Sequence, residues 1–134
     1  MLKYLLDTNI CIYVIKRRPL EVLETFNQYA GLLCISSITY AELCHGVDKS
    51  AKPEQNRQAV EDFCSRLVVL PYSEKAAQHY GDIRAELEKA GTPIGVNDLH
   101  IAGHARSEGL ALITNKTREF ERVAGLRVVN WLKK

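Results

Sequence analysis

Three acidic residues draw attention, two of them because a carboxylate there is hard to explain as surface decoration. Asp7, in "LLDTNI", ends the chain's first apolar run, and Thr8 and Asn9 follow at once. A strand-to-helix turn is satisfied by one capping side chain. An acid, a hydroxyl and an amide in a row exceed that need. Asp98, in "GVNDLHIAGHARSEG", shares a helical face with Ile101, Ala102 and Ala105, so its carboxylate is expected to be partly desolvated. Capping by Asn97 or Asp98 accounts for one polar residue there, and two are present. Glu42, in "SSITYAELCHG", is the least conspicuous. Tyr40, Leu43, Cys44 and Val47 form the apolar stripe of its helix, and Glu42 faces away, as a solvated glutamate would.

If Asp7, Glu42 and Asp98 converge, their repulsion favours protonation of some of them unless a cation intervenes. Oxygen-only donors favour Mg²⁺ or Mn²⁺ over zinc. Magnesium is held by one or two carboxylates plus waters, which leaves room for a substrate phosphate. The chemistry indicated is metal-assisted attack on a phosphate ester, on condition that the fold brings the acids together.

The elements that would do so alternate along the chain. "KYLLD" reads as a strand, followed by a helix over 9–17 that stops before Pro19, and a second over 20–29. There Leu20, Leu23 and Phe26 recur at helical intervals, with Val22 on an adjoining face, and read as core. "LLCIS" is the next strand; Ser36 or Ser37 caps a helix to about Asp48. Pro53 suits the first turn of another, reaching about Arg66. "LVVL" is a third strand. Ser73 and Glu74 open a long helix that Gly91 ends, and a further helix begins at Asn97 or Asp98 and stops at Gly109. "LALIT" and a short "LRVVNW" supply the last strands. Strands separated by helices imply crossover connections, hence an α/β fold with a mainly parallel sheet of four to five strands and helices on both faces. Ligands in such sheets gather outside the carboxyl ends of the strands, where Asp7 sits.

The 134 residues suit one domain over 1–134, and 46% hydrophobic with 25% charged residues excludes dominant disorder. Asp7 interrupts the N-terminal apolar stretch, and no run approaches the roughly 20 apolar residues of a membrane span. A cytoplasmic protein is expected. Cys11, Cys34, Cys44 and Cys64 form no CxxC pair and read as free thiols in a reducing compartment. His100 and His104 have a zinc-like spacing but no evident third ligand. "KRRP" at 16–19 reads as a solvated helix end, and no phosphate-binding glycine loop is present. The net charge of +2 divides unevenly: residues 103–134 hold seven Lys or Arg against three Glu. That is compatible with a polyanionic partner.

"LLDTNI", "SSITYAELCHG", "GVNDLHIAGHARSEGLALITNKTREF" and the closing "GLRVVNW" together resemble the PIN-domain ribonucleases, and more closely the VapC toxins of bacterial toxin–antitoxin pairs. The likeness runs from residue 2 to residue 131. It implies that Asp7, Glu42 and Asp98 are the acidic catalytic and metal-site residues, with Thr8 and Asn9 orienting the carboxylates. The implied activity is Mg²⁺- or Mn²⁺-dependent cleavage of RNA by a metal-activated water, with room for a second ion about 4 Å from the first. The implied substrate is tRNA, at the initiator tRNA's anticodon loop. The implied partners are a second copy of the chain, a VapB-like antitoxin whose C-terminal segment lies over the acidic cleft, and operator DNA reached only through that antitoxin.

One position departs from the family pattern. Two residues after Thr114, where such domains often place Asp or Asn, the chain has Lys116. Asn115 and Glu119 remain as supporting oxygens, and Lys116 itself suits a contact with phosphate. The departure puts a two-ion site in question. It also keeps open a non-catalytic role, in which the chain is a dimer scaffold within an operator-binding complex. Cleavage of single-stranded DNA is a third reading with the same metal chemistry.

Overall fold

The computed structural model describes residues 1–132; Lys133 and Lys134, counted in the basic C-terminal charge and in the 1–134 domain, lie outside the described residues. Five short strands, β1 (Tyr4–Leu6), β2 (Leu33–Ser36), β3 (Val68–Leu70), β4 (Ala111–Ile113) and β5 (Val128–Val129), form one sheet in the order β3-β2-β1-β4-β5. Every pairing is parallel. Tyr4 lies opposite both Leu33 and Ala111, and Leu5 opposite Cys34 and Leu112. That register makes the period-two alternation of the strands continuous across the sheet.

One face, carrying Leu6, Leu33, Ile35 and Ile113, packs against α1 (Thr8–Lys16), α2 (Leu20–Gln28), α3 (Ser37–Asp48) and α4 (Pro53–Cys64). The other, carrying Leu5, Cys34 and Leu112, packs against α5 (Glu74–Lys89) and α6 (Val96–Ser107). Both faces are apolar, as a covered parallel sheet demands. The chain moves outward from β1 through β2 to β3, then returns to β4 beside β1 on the opposite side. This reversal opens a crevice at the carboxyl ends of β1 and β4.

Gly103 sets the distance between α5 and α6. A Cβ there would lie 2.9 Å from the Tyr80 backbone nitrogen and 3.1 Å from the Ala76 carbonyl oxygen. Only a residue without a side chain permits this approach.

Several local expectations are corrected. Leu20 is 63% exposed, whereas Val22 and Phe26 of the same helix are buried as expected. In α3 the buried positions are Thr39, Leu43 and Val47, while Tyr40 is exposed, because α3 is packed between α4 and α6 and not on a single neighbour. The helix expected from Asn97 or Asp98 starts at Val96, with Gly95 as an N-cap that offers no side-chain bond. Neither polar residue caps it. A four-residue helix, α7 (Thr117–Phe120), follows β4 where none was expected. It is short enough to leave no periodic signal, and buried Phe120 anchors it.

Candidate active site

The crevice gathers all three acids, each delivered by a different element. Asp7 follows β1 directly, its backbone N–H donating to the Ile113 carbonyl of β4 at 2.8 Å. It is only 1% exposed. Its side chain does cap α1, the role Thr8 or Asn9 was equally able to fill: Oδ1 accepts from the Thr8 N–H at 2.7 Å. The other oxygen, Oδ2, accepts from the buried Thr114 hydroxyl at 2.8 Å. One carboxylate thus serves both the helix start and the end of β4.

Burial pushes the Asp7 carboxyl above its ordinary range, and the negative charge of Asp98 pushes the same way. The Thr114 hydroxyl, the Lys116 ammonium and the Thr8 N–H pull against this without cancelling it. A buried acid held above its normal value beside another acid is a group that gains from a nearby cation.

Glu42 is not the solvated glutamate its stripe suggested. α3 crosses the crevice, so the side chain is half-buried. Oε1 accepts from the Thr8 hydroxyl at 2.5 Å, and Oε2 accepts from the Asn97 amide at 3.1 Å. The hydroxyls of Thr8 and Thr39 lie 3.1 Å apart. Because the single Thr8 proton goes to the carboxylate, Thr39 supplies the proton between the two hydroxyls. Thr8 and Asn97 adjoin Asp7 and Asp98 in the chain, so their bonds to Glu42 tie the three acids together.

Asp98 sits in the first turn of α6, where the helix's positive end suits an acid. Its Oδ2 lies 3.3 Å from the Lys116 ammonium. The backbone N–H of Lys116 donates to the Thr114 hydroxyl at 2.9 Å. Burial works against the ammonium charge, but Asp98, Asp7 and Glu42 outweigh it and leave its pKa raised.

The remaining expected residues are less engaged. Asn9 is half-buried in the first turn of α1 and, among the described residues, makes no hydrogen bond to the acids. Each helical residue turns about 100° from the last, so Asn9 leaves the face that Thr8 presents to α3. Asn115 donates to the Tyr13 hydroxyl at 3.2 Å. Its Oδ1 and the Oε2 of Glu119 are buried acceptors without a hydrogen-bond partner among the described residues. Thr114, Thr39 and Asn97 were not identified as orienting residues from sequence, although Asn97 adjoins Asp98 and Thr114 ends a strand at the crevice.

The donor set is entirely oxygen and fits a hard divalent cation. Among the described residues, no group of three or more His, Cys, Asp or Glu is set to hold a metal ion as the side chains stand. Asp98 is instead engaged by Lys116, and Glu42 by Thr8 and Asn97. The two histidines of the zinc-like spacing are occupied elsewhere. His100 Nδ1 lies 2.7 Å from the Tyr72 hydroxyl, and His104 Nδ1 lies 2.8 Å from Ser36 Oγ.

Known proteins resemble this chain over nearly its whole length. The PIN domain family model matches residues 4–126. Ribonuclease VapC2 of Haemophilus influenzae is 63% identical over 132 residues, covering 98% of this chain and 100% of the relative. The tRNA(fMet)-specific endonuclease VapC of Shigella flexneri is 56% identical over 131 residues, covering 98% of this chain and 99% of that protein. A crystal structure of DNA-bound VapBC from Salmonella typhimurium superposes with a TM-score of 0.95 at 53% identity, covering 98% of this chain and 100% of that one. The parallel α/β sheet, the crevice at its reversal and these relatives agree: the chain belongs to the PIN-domain family and, within it, to the VapC ribonucleases.

Proposed function

We propose that the chain, acting as one nuclease domain over residues 1–134, is the toxin of a VapBC-type pair: a cytoplasmic endoribonuclease that requires Mg²⁺ or Mn²⁺. Asp7, Glu42 and Asp98 would hold the ion, with Thr8, Asn9, Asn115, Lys116 and Glu119 in support. The observation that carries this reading is the convergence of three acids from β1, α3 and α6 at the sheet's crevice, with buried Asp7 held above its ordinary pKa range. When bound, the ion supplies an activated water and positive charge opposite the phosphate. The chain's own part is to exclude water around Asp7 and to fix both Glu42 oxygens through Thr8 and Asn97.

The substrate we infer is tRNA, the initiator tRNA's anticodon loop in particular. The Shigella relative named tRNA(fMet)-specific endonuclease supports this. Loops offer the unstacked bases and shape that RNA-reading proteins use. The partners we infer are a second copy of the chain and a VapB-like antitoxin, with operator DNA engaged through the antitoxin; the DNA-bound VapBC from Salmonella typhimurium supports a DNA-binding assembly. An open groove of about 320 Å³, lined by Ile12, Ile15, Leu43, Val47 and Val60, runs up to Glu42 and suits an apolar antitoxin segment. A cationic side chain from that segment would neutralise the acids and block the cleft.

Incubating the purified chain with initiator tRNA in Mg²⁺, with EDTA as control, tests the reading. Cleavage that EDTA abolishes and that Asp98→Asn reduces at least a hundredfold is the expected outcome. Equal cleavage by Asp98→Asn would refute it. The Lys116–Asp98 ion pair favours one other reading, a non-catalytic scaffold for operator binding; absence of any Mg²⁺-dependent cleavage would select it.

A further inference from the structure

Lys116 holds a position that neutralising Asp98 does not by itself explain. Its ammonium has three hydrogens, and one is directed to Asp98 at a long 3.3 Å. The ammonium is the outer member of the pair, with 38% of its side chain exposed against 18% for Asp98. An anion approaching this pair therefore meets Lys116 before it meets Asp98. The backbone under it is fixed, because the Lys116 N–H and Asp7 Oδ2 share the single Thr114 hydroxyl. The lysine is thereby registered to the most buried acid of the site.

We propose that Lys116 binds the scissile phosphate and supplies the charge a second divalent ion would otherwise bring, so that the site works with one ion. The inference rests on the nuclease reading above and assigns Lys116 a role within it. Three carboxylates are neutralised by one ammonium and one divalent ion together. A second divalent ion would have to enter beside the ammonium, against its charge.

Two measurements test this without relying on turnover. The first is binding of initiator tRNA in Ca²⁺, which fills oxygen sites but is a poor substitute for Mg²⁺ in activating water. Lys116→Met should weaken binding about tenfold and flatten the slope of log Kd against log salt by about 0.7 to 0.9, the loss of one phosphate contact. Lys116→Arg should restore the slope, since it keeps the charge. The second is the Mn²⁺ count, from electron paramagnetic resonance of the free ion. The wild-type chain should bind one Mn²⁺, and Lys116→Asp two.

Unchanged tRNA affinity and slope in Lys116→Met would overturn the proposal, leaving the lysine a counter-ion for Asp98. Two Mn²⁺ per wild-type chain would overturn it as well. Melting curves of each variant separate these results from misfolding; if Lys116→Met fails to fold, the Mn²⁺ count of the wild type decides alone. Failure of the nuclease reading looks different: the wild type would then show no Mg²⁺-dependent cleavage, or Asp98→Asn would cleave as the wild type does.

Discussion

Thr114 is the smallest group on which the crevice depends, and removing its hydroxyl gives a sharp test. Thr114→Val keeps the shape of the side chain, so no cavity forms. It deletes the bond to Asp7 Oδ2 and the acceptor of the Lys116 N–H, at 2.8 and 2.9 Å. A hydrogen bond to a charged group contributes about 1.5–3 kcal/mol, and a stranded buried donor costs about 1–3 kcal/mol. Lys116 is half-buried, so water can replace part of the second loss. The expected destabilisation is about 2–4 kcal/mol, or roughly 10 °C in melting temperature for a domain of this size.

The pH dependence of this effect has a definite sign. The Thr114 bond favours ionised Asp7, so its removal raises an already raised pKa further. The variant's deficit should accordingly be greater at pH 8 than at an acid pH, shrinking as the pH falls through the raised Asp7 value, because a protonated Asp7 no longer needs the donor. Thermal melts of metal-free protein followed by circular dichroism at both pH values provide the assay, with Thr114→Ser as control. A Thr114→Val melt within 2 °C of the wild type, by the same conversion under about 1 kcal/mol, would refute the reasoning.

Three further outcomes are expected. Gly103→Ala should destabilise by about 1–3 kcal/mol despite alanine's better helix propensity, because its methyl meets the α5 backbone; a urea midpoint at or above the wild type would contradict this. Burial holds His104 and His100 below their usual value of 6.5, so the unfolded chain takes up protons first. Stability should therefore be fully present above about pH 6.5 and fall as the pH drops through the folded values. His104→Asn should reduce that slope in denaturant titrations without removing it. Among the thiols, burial pushes Cys34 up to about 12 and Cys11 well above its ordinary value, whereas Cys44 is half-exposed. Ellman's reagent at pH 8 should modify Cys44 first and reach Cys11 and Cys34 only on unfolding; early labelling of either buried thiol would argue against the packing of α1 and β2 in the core.

The sequence itself determined the alternation of strands and helices, because that depends on local periodicity and on punctuation such as Ser36, Pro53 and Gly91. It also marked Asp7 and Asp98, since a carboxylate that ends an apolar strand or heads an apolar helix face conflicts with its own neighbourhood. Glu42 carried no such conflict. Its stripe is read one helix at a time, and the packing of α3 between α4 and α6 changes which positions are covered. The family pattern brought it in before any local signal did.

Only the tertiary structure decided how the acids are held. Thr114 is 107 residues from Asp7, Asn97 is 55 from Glu42, and Thr8 is 34 from Glu42. No local rule pairs side chains at such separations; the strand order, which places β4 beside β1, does so. The same placement turns Lys116 from a departure in a motif into an ammonium at the mouth of the acidic crevice. Periodicity is a property of a segment, whereas a charge's partners are set by the segments the fold lays next to it.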